Sequence, residues 1–208
     1  PPKLNIIALQ DSQPERLDAL SQDLASTGIA QADLKELLDL FEHASTFGSL
    51  IQVPAAFAKK LPDLETKLNT ALESGDIFSQ QSAHELLPLV KQAKLLAKQY
   101  DAVIANPPYM GGKGLNDKLK EFLKENYKSF EKDLFSAFIV RNCVFSKPNG
   151  QLGLMTPHTW MSISSFESVR NTLSNKRSLS SLVKPSYTMF FDSAIVAVVA
   201  FTIINTVE

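Results

Sequence analysis

The spacing of apolar residues predicts a helical first half of the chain. Between residues 13 and 99 leucines recur three or four positions apart, as at Leu17, Leu20 and Leu24. This spacing places the leucines on one face of a helix, where they can be buried together. We therefore expect residues 13–99 to be almost wholly helical.

Two pairs of residues in this half have the spacing of a capping box, in which a serine and a glutamate three positions later close the first turn of a helix. The pairs are Ser12 with Glu15 and Ser82 with Glu85. We expect one helix to begin at each pair.

Short runs of apolar and β-branched residues predict strands, separated in the second half of the chain by helical patterns. The runs are LNIIAL (4–9), AVIA (102–105), QLGLMTP (151–157), SSLVK (180–184) and AIVAVVAFTII (194–204). Strands that alternate with helices predict an α/β fold with a mostly parallel, twisted sheet. The last two runs are separated by only nine residues, too few for a crossover helix, so we expect antiparallel neighbours.

Composition and charge narrow the class of protein. The chain has 208 residues, 44% of them hydrophobic and 21% charged, which is typical of a soluble globular protein. The net charge of -1 gives no overall basic surface, so contact with a nucleic acid would need a local patch. The single Cys143 excludes an internal disulfide and fits the cytoplasm. No run is long enough for a membrane-spanning helix, and no zinc-ligand spacing is present, so we expect neither a membrane segment nor a metal.

The four residues after AVIA have an unusual chemistry for the end of a strand. They are Asn106, Pro107, Pro108 and Tyr109. Ligands of open α/β sheets bind beyond the carboxyl ends of the strands. Prolines stiffen the loop and lack N–H groups, so that its carbonyls and the Asn106 amide oxygen are available as acceptors. Two acceptors beside the flat ring of Tyr109 suit a planar aromatic amine.

NPPY after a short apolar strand resembles motif IV of the amino-group methyltransferases that use S-adenosylmethionine. The resemblance implies that the Asn106 side chain and the Pro107 carbonyl accept the two N–H bonds of an adenine amine. It also implies that the target base is flipped out of the duplex and stacks on Tyr109, worth ~1–3 kcal/mol. The same motif occurs in enzymes that methylate RNA bases or protein glutamine.

More of the second half resembles the N6-adenine DNA methyltransferases. The family's "DLY/F" helix, "LKPGG" turn and "P-x-x-W" loop correspond to residues 133–135, 147–150 and 157–160. A later block, MFFDSAIVAVVAFTI, resembles the family segment that supplies a second aromatic wall of the base pocket. The resemblance assigns this wall to Phe191, with Phe190 as the alternative.

Two segments are similar to a narrower group, the large adenine methylases of BREX phage-defence systems and the related single-chain restriction–methylation enzymes. These segments are NPPYMGGKGLN (106–116) and FEHASTFGSLIQV (41–53). The similarity implies a partial Rossmann-like methyltransferase sheet with a helical insertion and an antiparallel last strand. Its parts would be a motif III strand region (1–12), the insertion (13–99) and the C-terminal part of the catalytic domain (100–208).

The resemblance also implies S-adenosylmethionine as the cofactor, with Asp11 as the acid that contacts the cofactor's adenine. Asp76 is an alternative acid, and an ordinary turn or capping role is an alternative for Asp11. The family's main cofactor loop, a glycine turn after the first strand, has no counterpart here. The glycines of MGGKG (110–114) follow NPPY, and we interpret them as a flexible loop on the substrate side.

The missing loop predicts that this chain is a fragment, inactive alone, that acts on DNA through the full-length protein. Without the preceding strands AVIA would lie at an open sheet edge. Either residues 4–9 pair beside it or a second copy of the chain covers it.

The leading hypothesis is therefore a fragment of a site-specific DNA methyltransferase that methylates the N6 amine of a flipped adenine, in restriction–modification or phage defence. An RNA or protein-glutamine methyltransferase is the first alternative, and a non-catalytic α/β interaction module that retains NPPY is the second. The long insertion and the MGGKGLN continuation favour the leading hypothesis.

Overall fold

The computed structural model describes residues 4–175, 177–185 and 197–206. Contacts between Cα atoms divide the chain into two units, residues 1–98 and 99–208. The first unit contains helices, and the second contains a sheet with helices, so each unit has its own kind of core. The assignment of residues 1–12, 13–99 and 100–208 to parts of a methyltransferase stays a prediction.

The first unit is held together by buried leucine faces, as the spacing predicts. Each of its longer helices buries apolar residues three or four positions apart; in the second helix they are Leu34, Leu37, Leu38 and Phe41. The helices are α1 (Leu17–Asp23), α2 (Gln31–Phe41), α3 (Ala44–Phe47), α4 (Ala55–Ala58), α5 (Leu61–Glu73) and α6 (Ile77–Ala97), with 3₁₀ turns at Pro14–Arg16, Ala25–Thr27 and Gly48–Leu50.

A helix begins at the first predicted pair, but the capping box itself is not formed. A 3₁₀ turn at Pro14–Arg16 precedes α1, and no side chain caps either element. The Ser12 hydroxyl instead donates a hydrogen bond to the carbonyl of Leu38 in α2. The hydroxyl that the local pattern assigned to the start of a helix therefore bonds to a residue of another helix.

The second capping-box prediction is wrong, because Ser82 and Glu85 lie inside α6. The cap of α6 is Asp76, whose carboxylate accepts hydrogen bonds from the backbone N–H groups of Phe78 and Ser79. A carboxylate at a helix N-terminus satisfies N–H groups that have no partner within the helix and also interacts favourably with the helix dipole. The helix therefore begins six residues before the predicted box, since its cap is Asp76 and not Ser82.

The predicted strand at residues 4–9 is not observed, and among the described residues it has no sheet partner. Leu4 and Ile6 are 80% and 83% exposed. Just after the run, the backbone N–H and carbonyl of Gln10 bond to the side-chain amide of the buried Gln92 in α6, at 3.0 and 2.9 Å. The Gln92 side chain thus makes the two backbone hydrogen bonds that a neighbouring strand would make, but only at Gln10. Residues 4–9 themselves form no strand ladder with the described residues.

The described residues of the second unit form a four-stranded sheet of order β1-β2-β4-β3. β1 is parallel to β2, and β4 is antiparallel to both of its neighbours, so only β4 runs against the others. The predicted α/β sheet with an antiparallel last strand is confirmed. Its elements are β1 (Tyr100–Ala105), α7 (Asp117–Asn126), α8 (Leu134–Phe145), β2 (Ser146–Pro157), α9 (Glu167–Asn175), β3 (Ser178–Val183) and β4 (Val198–Ile204), with 3₁₀ turns at His158–Met161 and Ser164–Phe166.

One face of this sheet carries the apolar core. Alternate residues of β2 and β4 are buried against the apolar residues of α8 and α9. The core residues are Phe135, Ile139, Cys143, Leu152, Leu154, Trp160, Val169, Leu173, Val199, Phe201 and Ile203.

Strand β1 is exposed on one side, and its Ile104 is 87% exposed. Among the described strands β1 pairs only with β2, so it lies at an edge of the sheet.

The predicted SKPNG turn is an irregular part of β2. Asn149 has a positive φ of 62°, which asparagine tolerates better than most residues. Its N–H donates to the carbonyl of Asn205, and the N–H of Asn205 donates to the carbonyl of Gly150. The buried Asn205 side-chain N–H₂ donates further to the carbonyls of Cys143, Ser146 and Lys147, at 3.0, 3.0 and 3.2 Å.

Among the described helices, none is long and apolar enough to cross a membrane.

Candidate active site

The NPPY loop lies at the edge of the sheet where ligands of α/β proteins bind. β1 and β2 are parallel, with Ala105 opposite Leu154, so their carboxyl ends lie at the same edge. NPPY follows β1 there, and the 3₁₀ turn His158–Met161 follows β2. β4 begins at this edge as well, since Val198 pairs with Pro157. The structure thus brings the NPPY loop and the P-x-x-W loop to one side of the sheet.

Within the NPPY loop, the side chains divide between solvent and core. Asn106 and Pro108 are exposed, Pro107 is buried, and Tyr109 is partly buried against the core. The Tyr109 hydroxyl donates a hydrogen bond of 2.9 Å to Oδ1 of Asn106. Burial raises the pKa of the Tyr109 phenol, so the hydroxyl keeps its proton at neutral pH. The bond therefore orients the Asn106 amide, whose oxygen retains a second lone pair.

The residue after Tyr109 is held by the start of α8. The Asp133 carboxylate oxygen Oδ1 accepts a hydrogen bond from the N–H of Met110, at 3.2 Å, and another from the N–H of Phe135, at 3.3 Å. The N–H of Leu134 donates to the carbonyl of Met110, at 3.0 Å, and Gly111 forms an antiparallel bridge with Asp133. Burial raises the pKa of Asp133, against the effect of these hydrogen bonds. The sequence predicts the cap but not its contact with Met110.

The glycines after NPPY form a turn. The N–H of Gly114 donates to the carbonyl of Gly111, at 2.9 Å. A Cβ atom at Gly114 would lie 2.8 Å from Cγ of Met110, whereas one at Gly112 would meet nothing within 4 Å. A hydrogen bond between Gly111 and Gly114 thus closes the turn, and Met110 and Gly111 connect it to the start of α8.

The P-x-x-W loop is fixed by hydrogen bonds and by core packing. The buried Trp160 donates from Nε1 to the hydroxyl of Thr156, at 2.9 Å, and its ring lies 5.3 Å from that of Phe201. The N–H and Nδ1 of His158 both lie about 3 Å from the carbonyl of Ala197, at 3.0 and 3.1 Å. Trp160 is therefore a core residue that supports the loop.

The structure shows Asp11 bonded to the first turn of α3 from 34 residues earlier in the chain, while the residue at the N-cap position of α3 is His43. The Asp11 carboxylate accepts hydrogen bonds of 2.7 Å from both the N–H and the hydroxyl of Ser45, in the first turn of α3. These bonds lower the pKa of Asp11. Its contact with a cofactor stays a prediction, and Asp76, the alternative, caps α6. Phe191 and Phe190 lie outside the described residues.

No metal centre is seen in the described ranges, since no three His, Cys, Asp or Glu side chains lie close enough there to hold an ion. The two predicted groups of site residues, NPPY and Asp11, lie in different units of the chain.

A sequence model of the Eco57I restriction-modification methylase family matches residues 10–191. The chain belongs to this family, which confirms the resemblance drawn from NPPY and the segments around it.

Several curated relatives share this region. The adenine-specific methyltransferase BrxX of Escherichia coli O9:H4 (strain HS) is 36% identical over 192 residues, which are 82% of this chain and 16% of BrxX. The adenine-specific methyltransferase PglX of Lacticaseibacillus casei (strain Zhang) is 33% identical over 153 residues, or 71% of this chain and 12% of PglX. The chain thus spans less than a fifth of these relatives.

Among solved structures, one described as a class I S-adenosylmethionine-dependent methyltransferase from Listeria monocytogenes covers 97% of this chain and 71% of its own, with a TM-score of 0.43 and 15% identity.

Proposed function

We propose that this chain is part of the catalytic domain of an adenine-specific DNA methyltransferase and supplies the residues that hold the acceptor amine. We call these residues, Asn106, Pro107, Pro108 and Tyr109, the cradle. The observation that carries the proposal is the exposed Asn106 at the carboxyl end of β1, with its amide oxygen oriented by the Tyr109 hydroxyl. Membership of the Eco57I methylase family and the similarity to BrxX and PglX support the same reaction class.

The adenine amine is a weak nucleophile because its lone pair is delocalised into the ring, and the cradle increases its reactivity. Oδ1 of Asn106 and the carbonyl of Pro107 accept the two N–H bonds, which favours a lone pair directed out of the ring plane. S-adenosylmethionine supplies an electrophilic methyl group. Asn106 and Pro107 would hold the amine with its lone pair directed at that methyl group, and the methylated amine would release a proton to solvent. The residues contribute mainly by position and by fixed dipoles.

Both the ring and the hydroxyl of Tyr109 have a role in the cradle. The ring, partly buried against the core, is a fixed surface for the flipped base, and the hydroxyl holds the Asn106 amide. Pro108 keeps these two residues in one stiff turn. Phe191 is proposed as the opposite wall of the base pocket.

Asp11 is proposed as the contact to the adenine of S-adenosylmethionine. Its carboxylate is exposed, and each oxygen accepts one hydrogen bond from Ser45, which leaves lone pairs for an amino group. The residues present therefore fit this part of the cofactor. Since the main cofactor loop has no counterpart in the sequence, we propose that the chain alone methylates nothing.

The proposal includes DNA as the partner, a cytoplasmic location, and a role in restriction–modification or phage defence. It also includes self-association through the edge strand β1, where Ile104 is 87% exposed. Replacement of Ile104 by lysine should then lower the concentration-dependent association of the purified chain in sedimentation velocity runs, and monomeric behaviour of the unaltered chain at high concentration would exclude it.

The test uses the complete gene product, with DNA and radiolabelled S-adenosylmethionine, and identifies N6-methyladenine by mass spectrometry. Asn106→Ala removes one acceptor and should lower kcat at least ~100-fold, as loss of one fixed hydrogen-bonding group does in other enzymes. Asn126→Ala is the matched control, because this exposed amide at the end of α7 donates to the carbonyl of Phe122 within its own helix; its kcat should stay within about twofold.

Full activity of the Asn106→Ala enzyme would exclude the proposal. Methyl transfer to RNA or to a glutamine-containing protein, with DNA unmodified, would instead support the first alternative. A folded complete product that modifies none of the three would support the interaction module.

A further inference from the structure

We propose that Asp133 is a positioning residue of the acceptor site, which fixes the backbone after Tyr109 and thereby holds the Tyr109 ring and the Asn106 amide in place. This inference rests on the function proposed for the NPPY loop. Asp133 is 24 residues from Tyr109 in the sequence, so the contact depends on the fold.

The first step of the argument is that Met110 is held on both of its backbone polar groups. Its N–H donates to Oδ1 of Asp133, and its carbonyl accepts from the N–H of Leu134. Two hydrogen bonds from adjacent residues fix the direction of the peptide as well as its position. Gly111 then pairs with Asp133 in an antiparallel bridge.

The second step is that the NPPY loop has two ends, and the sheet fixes only one. Ala105, before the loop, pairs with Leu154 in the parallel ladder. Met110, after the loop, lies beyond the ladder and depends on Asp133. Between these ends, the two prolines restrict the backbone, and the Tyr109–Asn106 hydrogen bond joins the side chains. A shift of Met110 would therefore move the tyrosine and, through it, the asparagine amide.

The third step separates this role from helix capping alone. A cap of α8 needs one acceptor for the N–H of Phe135, and a serine supplies that. Asp133 gives the same oxygen to a second N–H, that of Met110, which belongs to a different segment. Asparagine offers an oxygen at the same distance from the backbone, whereas the serine hydroxyl is one bond shorter.

Three substitutions of Asp133 in the complete gene product test the role. Asp133→Asn should keep both hydrogen bonds, Asp133→Ser should keep only the cap, and Asp133→Ala should keep neither. Asn116→Ala is the matched control, because Asn116 caps α7 by accepting a hydrogen bond from the N–H of Leu119, at 2.8 Å, and its side chain does not bond to Met110.

The first measurement is hydrogen–deuterium exchange of the peptide covering residues 106–114, which needs no activity. Asp133→Ser and Asp133→Ala should speed its exchange at least ~10-fold, while Asp133→Asn and Asn116→Ala stay close to the unaltered protein. The second measurement is methyl transfer. We expect kcat to fall ~10- to 100-fold in the serine and alanine variants, as for other displaced catalytic groups, with the KM for S-adenosylmethionine unchanged.

The asparagine variant should remain within about threefold of the unaltered kcat. Unchanged loop exchange and kcat in Asp133→Ser would overturn the proposal, as would an asparagine variant as impaired as the alanine one. If the unaltered protein methylates no adenine, the function proposed for NPPY fails, but the exchange measurement still decides whether Asp133 holds the loop.

Discussion

Asp11 and Asp133 are two aspartates that bond to the first turn of a helix, yet their environments shift their pKa values in opposite directions. The Asp11 carboxylate is exposed, and its hydrogen bonds from Ser45 stabilise the ionised form and lower the pKa. Asp133 accepts comparable bonds, but burial raises its pKa because the charged form loses solvation. The same residue type thus has two different energetic roles, at Asp11 as a contact from a distant segment and at Asp133 as the cap of its own helix.

The difference lies in how far each carboxylate is buried. Asp11 accepts both of its bonds from Ser45, 34 residues away, and stays exposed, whereas Asp133 bonds to its own helix and to Met110, 23 residues away, and is partly buried. Partial burial between α8 and the loop after NPPY removes solvation from the Asp133 carboxylate and so raises its pKa, whereas the exposed Asp11 keeps its solvation.

The largest effect that separates the two aspartates should be on cofactor affinity. Asp11→Ala removes a hydrogen bond to a charged group, worth about 1.5–3 kcal/mol, so binding of S-adenosylmethionine should weaken ~10- to 100-fold. Asp133→Ala should leave the affinity unchanged. Isothermal titration calorimetry on the complete gene product measures both, and equal affinities in all three proteins would show that Asp11 only holds the start of α3.

A smaller effect is expected on stability at neutral pH. Asp11→Asn replaces charge-assisted bonds by weaker ones and should lower the free energy of unfolding by roughly 0.5–1 kcal/mol, given its exposure. Asp133→Asn keeps an N-cap and removes the cost of a charge in a partly buried position, so stability should be equal or higher. Urea denaturation gives both values. A destabilised asparagine variant at position 133 would contradict this.

The smallest effect is the pH dependence of these differences, which should have opposite signs. The stabilisation from Asp11 is present above its ordinary pKa of 3.8 and is lost as pH falls through its lowered folded value. For Asp133 the folded state favours the protonated form, so stability is lost as pH rises from 3.8 through the raised folded value. Unfolding curves of both asparagine variants across this range would show the first difference shrinking in acid and the second growing with pH. Parallel curves would remove the distinction.

Much of the second unit was predictable because its signals are local. Pro157 marks the end of β2, the short gap before residue 194 predicts an antiparallel β4, and Asp133 has the expected form of a cap. NPPY directly after β1 was predictable in the same way. Such features depend on a few neighbouring residues, whose preferences the fold does not override.

The errors arose where a distant partner decides the outcome. Residues 4–9 have the composition of a strand, but a strand also needs a neighbour, and none of the described strands pairs with them; Gln92 bonds to Gln10, just after the run. Ser12 bonds to Leu38 rather than to its own helix, because α2 lies close enough to compete. The contact between Met110 and Asp133 belongs to the same class, and nothing in the spacing of the two residues signals it.

Asn205 imposes an order of events on the folding of the second unit. Its side chain satisfies the carbonyls of Cys143, Ser146 and Lys147, which precede it by 62, 59 and 58 residues. A ribosome that adds about 5–20 residues per second makes those carbonyls roughly 3–12 s before the amide that binds them. These carbonyls, at the end of α8 and the start of β2, must therefore remain solvated or bound elsewhere until Asn205 has been synthesised, so this part of the unit is expected to close late.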